Sequence, residues 1–294
     1  MHEPANQHRP RLWLIAGTGD GRALALELLR RGWRLLVSVV SPEAALAYPA
    51  LAQLALRVGA LGGEAGIRLV LDQARSEADP FVAVVDASHP FARRITATLA
   101  QVWRQERDRA GSAALPPLLR LRRPDASDLP VPRLRLLSDL EELGALPLAG
   151  RRLLLAIGAR QLPRTVQLSP GALHHARLLP TPTALQQGRA AGLAAERLAC
   201  LRPGDPLEPQ VLRALVQRWG IETILCRQSG GLTERLWRRL AAERDLQLLL
   251  LARPAEPVGL PQRQLPELLR ELEALAGPAT TATATATLPS DANS

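Results

Sequence analysis

The stretch Leu14-Ile15-Ala16-Gly17-Thr18-Gly19-Asp20-Gly21-Arg22 joins the first apolar run of the chain to a segment with helical spacing. Glycines here permit a tight turn, and they let backbone N–H groups approach a pyrophosphate at the N-terminus of a helix. The pattern is G-x-G-x-G, whereas the usual dinucleotide-binding pattern is G-x-G-x-x-G, so Arg22 stands where the third glycine would fall. The stretch therefore predicts a nucleotide-binding turn, with an ordinary strand–helix turn as the alternative.

Strand-like and helix-like runs alternate regularly after this turn. The first half predicts strands at 12–16, 33–40, 56–58, 81–85 and 118–121, and helices at 22–31, 67–75 and 91–107. The second half predicts strands at 152–157, 176–179, 197–201, 222–226 and 246–251, and helices at 208–219, 233–244 and 265–275. Such alternation is typical of a parallel sheet with helices on both faces.

The sequence thus predicts an α/β protein with two Rossmann-like lobes, parallel sheets and a cleft between them. The expected divisions are a flexible N-terminus (1–11), a dinucleotide-binding lobe (12–121), a linker or crossover (122–150), a second α/β lobe (151–276) and a disordered Thr/Ala/Pro tail (277–294). Ligands of open α/β sheets bind at the carboxyl ends of the strands, which directs attention to the loops that follow them.

Composition excludes several classes of protein. The 294 residues include only two cysteines, 26 positions apart, and five histidines, so we expect neither a disulfide framework nor a metal centre. Neither a transmembrane run nor a secretory signal is recognisable, which favours the cytoplasm. The net charge is +9 and all 37 basic residues are arginines, whose planar guanidinium groups bind carboxylate or phosphate in bidentate fashion.

The end of the second predicted strand bears on the choice of cofactor. NAD-binding proteins usually carry an acidic residue about 20 positions after the first glycine, but Val37 to Ser41 contains none. We therefore expect NADP(H), with NAD(H) less favoured, and expect Arg22, Ser38 or Ser41 near the 2′-phosphate. The alternative for Ser38 is simple packing within a strand.

Two later loops carry candidate site residues. Asp86 and His89, which follow the strand 81–85, are candidate proton donors, and Ser88 is a candidate cofactor contact. The alternative for Asp86 and Ser88 is an ordinary helix cap, and the alternative for His89 is a loop histidine that hydrogen-bonds to backbone. The stretch Arg227-Gln228-Ser229-Gly230-Gly231-Leu232-Thr233 combines a cation, small donors and a glycine turn, which suits an anion. Arg177 ends a strand of the same lobe and is expected to reach the same cleft, unless it is a surface residue.

Three segments, in order, resemble the precorrin-6A reductase family of corrin-ring synthesis, including its cobalt-precorrin-6A form. Ala16 to Arg22 is similar to the family's G-G-T-x-E-A-R, and Val84 to Ala92 to its V-V-D-A-T-H-P-F-A. Cys226 to Gly231 resembles T-K-N-S-G-G, and Leu251-Ala252-Arg253-Pro254 resembles the downstream R-R-P. Weaker echoes lie at 119–124 and 177–180, and the family's G-P-F-S segment is replaced by Arg202-Pro203-Gly204-Asp205.

The resemblance implies an NADPH-dependent reductase that adds hydride to a ring double bond of precorrin-6A or its cobalt form. Together with the residue patterns above, the expected cofactor contacts are Gly17, Thr18, Gly19, Asp20, Gly21, Arg22, Ser38, Ser41 and Ser88, and the expected contacts to a polycarboxylate tetrapyrrole are Arg177, Arg227, Gln228, Ser229, Gly230, Gly231 and Thr233. Asp86, His89 or water would supply the accompanying proton.

Rival functions fit less well. Short-chain dehydrogenases commonly use a Tyr-x-x-x-Lys pair, and this chain has a single tyrosine, Tyr48, and no lysine. Its arginines are interleaved with acidic residues and no strand is rich in aromatics, so we expect no nucleic acid as partner. A nucleotide sensor without catalytic activity stays possible, as does any other NAD(P)-binding Rossmann oxidoreductase.

Overall fold

A computed structural model describes residues 10–17, 19–110 and 115–277. Thr18, the predicted flexible N-terminus up to residue 9 and the predicted disordered tail from residue 278 lie outside the described residues. Within the described ranges the chain forms two six-stranded sheets, and every strand pairing is parallel.

The first half of the chain supplies five strands to the first sheet. Its elements are β1 (Arg11–Ile15), α1 (Gly19–Arg30), β2 (Arg34–Val39), α2 (Pro42–Ala45), β3 (Leu54–Val58), α3 (Gly63–Ser76), β4 (Ala83–Asp86), α4 (Arg93–Ala110) and β5 (Leu118–Leu121). The spatial order is β12-β5-β4-β1-β2-β3, where β12 (Gln262–Arg263) comes from near the end of the described chain. This is the doubly wound order, in which the direction of winding reverses between β1 and β4.

The second half repeats the same arrangement. Its elements are β6 (Leu134–Leu137), β7 (Arg152–Ala156), α5 (Leu162–Leu168), β8 (Leu173–Leu178), α6 (Pro182–Ala190), β9 (Leu198–Cys200), α7 (Glu208–Trp219), β10 (Thr223–Arg227), α8 (Leu232–Glu243), β11 (Gln247–Leu251), β12 (Gln262–Arg263) and α9 (Leu265–Ala276). The order β6-β11-β10-β7-β8-β9 reverses between β7 and β10. The predicted α/β class with two Rossmann-like parallel sheets is confirmed.

The sixth strand of each sheet comes from an unexpected part of the chain. Strand β6 lies inside the segment 122–150, which the sequence predicts as a linker, yet it pairs with β11 of the second sheet. Strand β12 and helix α9 lie inside the predicted second lobe, yet β12 pairs with β5, and Leu268 and Leu272 of α9 pack in the core of the first sheet. The predicted boundaries at 122 and 151 therefore do not coincide with the two sheets.

Successive side chains of the central strands point to opposite faces of the sheet and are apolar on both, which explains why helices cover both faces. In β1, Leu12 and Leu14 pack in one apolar cluster, whereas Trp13 and Ile15 pack in the cluster on the opposite face. All four strand residues of β4 are buried. Continuous apolar runs of this kind are typical of a parallel sheet that is covered on both sides. None of the helices in the described residues is long and apolar enough to cross a bilayer.

Candidate functional site

The loops at the carboxyl ends of the two sheets contact one another. We call this contact region the junction and define it as residues 16, 17, 19–21, 87–92, 120–125, 227–231 and 252–256. Arg123 Nη1, which follows β5, donates to the Ser229 carbonyl after β10 at 3.3 Å. Arg253 Nη1, which follows β11, donates to the Arg123 carbonyl at 3.2 Å. The two winding-reversal points thus face each other, where ligands of such sheets bind.

The glycine turn after β1 leaves open space above the first helix. A Cβ atom added at Gly17 or at Gly19 would have no neighbouring heavy atom within 4 Å among the described residues. Gly21 differs, since its added Cβ would lie 2.9 Å from the Ala16 Cβ. The third glycine of the predicted pattern therefore permits close helix–strand packing from position 21, while the first two leave the backbone accessible.

Asp20 connects this turn to the second sheet. Its Oδ2 lies 2.8 Å from Nη2 of Arg123, whose side chain is buried. An added Cβ at Gly231 would lie 3.7 Å from the same carboxylate oxygen. The first turn of α1 is therefore linked through Arg123 to the 229–231 loop.

Asp86 lies at the end of β4 and is completely buried. Its Oδ1 accepts the Ser88 N–H at 2.9 Å, and its Oδ2 accepts the Thr96 hydroxyl at 2.8 Å and lies 2.8 Å from Arg120 Nη1. Arg120 Nε in turn donates to Glu256 Oε2 at 2.8 Å. Both carboxylate oxygens are thus occupied, which favours a positioning role for Asp86 over the predicted proton donation.

Ser88 is part of the same network. Its hydroxyl accepts from Arg120 Nη1 at 3.2 Å, and its side chain is buried. The loop that contains it closes with a bond from the Ala92 N–H to the His89 carbonyl at 2.7 Å, and α4 begins only at Arg93. The predicted helix start at residue 91 is therefore wrong, because the turn of residues 89–92 precedes the helix.

His89 is partly buried at the centre of the junction. Its Nδ1 accepts the Phe91 N–H at 3.1 Å. Burial, and then the positive charges of four nearby guanidinium groups, lower the pKa of His89 to about 3. These groups belong to Arg123, Arg227, Arg120 and Arg253. The imidazole is therefore neutral at physiological pH.

The arginines of the junction differ in how well their charges are balanced. Arg120 pairs with Asp86 and Glu256, Arg123 with Asp20, and Arg253 with Asp125 at 3.5 Å. Arg227 has no carboxylate partner in the part of the chain that the structure describes; its Cζ lies 5.0 Å from the centre of the Phe91 ring, and burial lowers its pKa.

Buried donors of the junction lack acceptors among the described residues. Arg227 Nε, Arg123 Nη2 and Arg253 Nη2 have no partner there in hydrogen-bonding geometry, although the last two lie within ion-pair distance of a carboxylate. Buried polar groups are nearly always paired in native proteins, and charge-assisted bonds are the strongest pairs. The junction is therefore suited to an anionic ligand.

The 228–231 loop is held by its own backbone and by α8. Gly230 has a φ of +70°, and an added Cβ there would lie 2.3 Å from the Pro124 carbonyl oxygen, so a side chain would separate the two lobes. The Gly230 N–H donates to Glu234 Oε2 at 2.7 Å, and Glu234 pairs with Arg238 at 2.8 Å. Gln228 accepts the Arg253 N–H at 3.0 Å, and Thr233 lies half-buried in the first turn of α8.

Several predicted contacts lie in other surroundings. Ser38 is buried and its hydroxyl accepts the Trp13 indole N–H at 2.9 Å, so it belongs to the core and not to a phosphate site. Arg177 is buried against Glu208, which also accepts the Gly204 N–H at 2.8 Å. Arg177 therefore holds the 204–208 loop, which corrects its predicted place in the cleft.

Ser41 lies between β2 and α2, and Arg22 lies in the first turn of α1 and reaches the chain that follows α2. Ser41 caps α2 by accepting the Ala44 N–H at 3.3 Å. Arg22 is exposed and donates to the Ala47 carbonyl. Neither of these two side chains is buried, so both remain available to a ligand.

Sequence reasoning overlooked Arg120, Arg123, Arg253 and Glu256. The sequence did carry a signal for Arg123 and Arg253, because each is followed by proline after an equivalent strand. Arg123-Pro124 follows β5, and Arg253-Pro254 follows β11 of the other sheet. Glu256 gave no signal of its own. No group of three or more metal-ligating side chains forms among the described residues.

Comparisons with known proteins agree with this geometry. The family model described as precorrin-6x reductase CbiJ/CobK matches residues 11–275. A cobalt-precorrin-6A reductase of Synechocystis sp. is 34% identical over 250 residues, 83% of this chain and 88% of that protein. A precorrin-6A reductase of Mycobacterium tuberculosis is 31% identical over 252 residues, 85% of this chain and 91% of that protein.

A solved structure supports the same fold. The structure described as CobK precorrin-6A reductase matches with a TM-score of 0.69 at 24% sequence identity. The match covers 91% of this chain and 98% of that chain. The two-sheet architecture is therefore shared along nearly the whole of both proteins.

Proposed function

This chain belongs to the precorrin-6x reductase CbiJ/CobK family, and we propose that it reduces a ring double bond of precorrin-6A, or of its cobalt form, with NADPH in cobalamin biosynthesis. The observation that carries the proposal is the junction itself. An open glycine turn on one sheet faces a group of arginines that includes the unpaired Arg227. The first suits a dinucleotide, and the second suits a macrocycle fringed with carboxylates.

The glycine turn fits a reduced dinucleotide. Gly17 and Gly19 leave space for close approach of a pyrophosphate, which the N–H groups at the start of α1 would bind. When bound, the nicotinamide supplies a hydride, and the protein contributes orientation and electrostatics. The equivalent turn of the second sheet, Gly158-Ala159-Arg160, lacks the second glycine of the pattern, and the Arg227 guanidinium lies beside Gly158. We therefore assign the dinucleotide to the first sheet.

The preference for NADPH rests on the end of β2. Val37 to Ser41 contains no acidic residue at the position where NAD-binding proteins usually carry one, and the next carboxylate, Glu43, lies in the first turn of α2 beside Ser41. The exposed Arg22 and the half-buried Ser41 remain as contacts for a 2′-phosphate, and Ser38 does not. Replacing Arg22 with Gln should weaken NADPH binding about tenfold and leave NADH binding unchanged, since a charge-assisted bond contributes about 1.5–3 kcal/mol. Equal losses for both dinucleotides would contradict this assignment.

The assay of the reaction is direct. Purified protein is mixed with NADPH and precorrin-6A, and separately with the cobalt form, while the pigment spectrum and NADPH absorbance are followed. We expect one NADPH to be consumed for each macrocycle reduced. NADPH binding without oxidation in the presence of either pigment would instead indicate a sensor.

Gly19→Val tests the place of the cofactor. The added side chain would occupy the open space at the start of α1 and should abolish measurable NADPH binding, because the backbone could no longer approach the pyrophosphate. Calorimetric titration with NADPH measures this. Undiminished affinity would show that the dinucleotide lies elsewhere.

A further inference from the structure

The hydrogen bond made by His89 determines whether this side chain can supply the proton in the reduction. Its Nδ1 accepts the Phe91 N–H at 3.1 Å, so the single proton of the neutral ring resides on Nε2. Protonating Nδ1 would place two N–H groups against each other and break the bond that shapes the 89–92 turn. The local geometry thus disfavours the imidazolium form, which a general acid requires.

The charges around His89 also disfavour the imidazolium form. The elements packed against it bring Arg120 and Arg123 from the end of β5, Arg227 from β10 and Arg253 from β11. The acidic groups there are Asp86, Asp20, Glu256 and Asp125, and each is paired with one of these arginines. No carboxylate is left over among the described residues to stabilise a cation on the ring.

His89 and Arg227 both contact the aromatic ring of Phe91. The His89 ring centre is 5.8 Å from that of Phe91, and the Arg227 guanidinium lies 5.0 Å from the same centre. Nε2 of His89 has no hydrogen-bond partner among the described residues, and Nε of Arg227 is buried without one. An N–H donor and an unpaired cation are thus presented together.

We propose that His89 and Arg227 form one carboxylate subsite for the macrocycle, in which neutral His89 donates from Nε2, and that water supplies the proton added to the ring. This inference rests on the proposed function and specifies its substrate contact. The reduced nicotinamide gives a hydride to one carbon of the ring double bond and is oxidised. The other carbon takes a proton from water, and the hydroxide formed is neutralised by solvent.

Two amide substitutions separate the functions of the two ring nitrogens. The Asn side chain places an acceptor near the position of Nδ1, so His89→Asn keeps the bond from Phe91 but lacks the distal donor. The Gln side chain reaches the position of Nε2, so His89→Gln keeps the donor. Affinity is measured by fluorescence titration with uroporphyrin, a stable octacarboxylate macrocycle. Arg227→Gln is compared with Arg213→Gln, which removes an arginine paired with Glu243 on the outside of α7.

We expect His89→Gln to bind uroporphyrin within threefold of wild type, and His89→Asn and Arg227→Gln each to bind at least tenfold more weakly. Arg213→Gln should bind like wild type. The double variant His89→Asn/Arg227→Gln should lose less uroporphyrin affinity than the product of the two single losses, because both groups bind one carboxylate. Full binding by His89→Asn with loss in His89→Gln would overturn the proposal in favour of a loop-shaping role.

The turnover rate shows whether His89 is a hydrogen-bond donor to a substrate carboxylate or the general acid of the reduction. With precorrin-6A and NADPH, any loss of turnover in His89→Gln should be no larger than its loss of uroporphyrin affinity, and Arg213→Gln should turn over like wild type. The wild-type rate should show no ionisation near neutral pH. If His89→Gln instead turned over at least 100-fold more slowly while keeping its uroporphyrin affinity, His89 would be the general acid and the inference would be overturned. If wild type does not turn over either pigment, the proposed function fails, while the titrations still decide whether the subsite exists.

Discussion

Gly21 determines how closely α1 approaches the first sheet. A Cβ atom added at Gly21 would lie 2.9 Å from the Cβ of Ala16, at the point where β1 ends and the glycine turn begins. Gly19, two positions earlier, has no such contact. Similar glycines in one short motif therefore have different physical reasons, packing at 21 and accessibility at 19.

Gly21→Ala should lower the free energy of unfolding by about 1–3 kcal/mol, because the new methyl group would overlap the Ala16 side chain at 2.9 Å. The better helix propensity of alanine offsets up to about 1 kcal/mol of this loss. Gly19→Ala is the matched control and should change stability by less than about 0.5 kcal/mol. Urea denaturation of the two variants checks the difference. Equal stabilities would refute the packing role of Gly21.

His89 should make the protein less stable in acid. In the unfolded chain His89 takes up a proton near its ordinary pKa of 6.5, whereas in the folded protein its pKa is about 3. Above pH 6.5 both states are neutral at this group. As the pH falls from 6.5 towards 3, the unfolded state binds the proton and the folded state does not, so stability declines by at most about 1.4 kcal/mol per pH unit.

His89→Gln removes that contribution. The stability difference between wild type and variant should therefore shift in favour of the variant between pH 6.5 and pH 4. Urea denaturation at several pH values measures the shift. Parallel pH profiles for the two proteins would mean that His89 titrates normally when folded.

The ends of β4 and β5 are held together by a buried ion network. Arg120 is only 1% exposed and lies between Asp86, which is completely buried, and Glu256 of the loop before β12. Removing one member of a buried ion pair leaves an uncompensated charge, whose cost is about 3–5 kcal/mol. The network thus links the first sheet to the chain that returns from the second.

Asp86→Ala should therefore destabilise the protein by about 3–5 kcal/mol. The Glu256 side chain is 16% exposed, so water can partly replace its carboxylate. Glu256→Ala should therefore lower the free energy of unfolding by clearly less than Asp86→Ala does. Thermal denaturation of the two variants ranks them. A milder effect of Asp86→Ala than of Glu256→Ala would contradict this arrangement of charges.

Periodicity and turn residues were sufficient to predict the central strands, but not how the sheets exchange their outer ones. Runs such as 81–85 carry their own signal, since they are apolar throughout and end at turn residues. Strand β6 has three exposed residues out of four, and β12 has two residues, so neither carries a periodic signal. Ion pairs such as that of Arg120 with Glu256 join residues 136 positions apart, and only the assembled sheets bring them together.

The two sheets are tied together by this exchange of sixth strands. The chain leaves the first sheet after β5, adds β6 to the edge of the second, completes that sheet, and returns to add β12 beside β5. Two connections therefore cross between the sheets close to the junction. Arg123 and Arg253 lie on these crossings, which explains how they reach loops of the opposite lobe.

The returning segment should be essential to the first sheet although it lies far from it in sequence. A chain ending after residue 261 lacks β12 and α9, so the sites of the fully buried Leu268 and Leu272 are emptied and the Arg122 N–H loses its acceptor, the Arg263 carbonyl. Each leucine contributes about 2–5 kcal/mol, which together approaches the whole stability of an ordinary domain of about 5–15 kcal/mol. We expect this chain to lose NADPH binding and become protease-sensitive within residues 12–121, whereas a chain ending after residue 277 should melt like the full protein.

Leu268→Ala in the full chain tests the same packing if the short chain does not accumulate. It should lower the free energy of unfolding by about 2–5 kcal/mol. A chain ending after residue 261 that melts and binds NADPH normally would show that the first sheet does not depend on the returning strand.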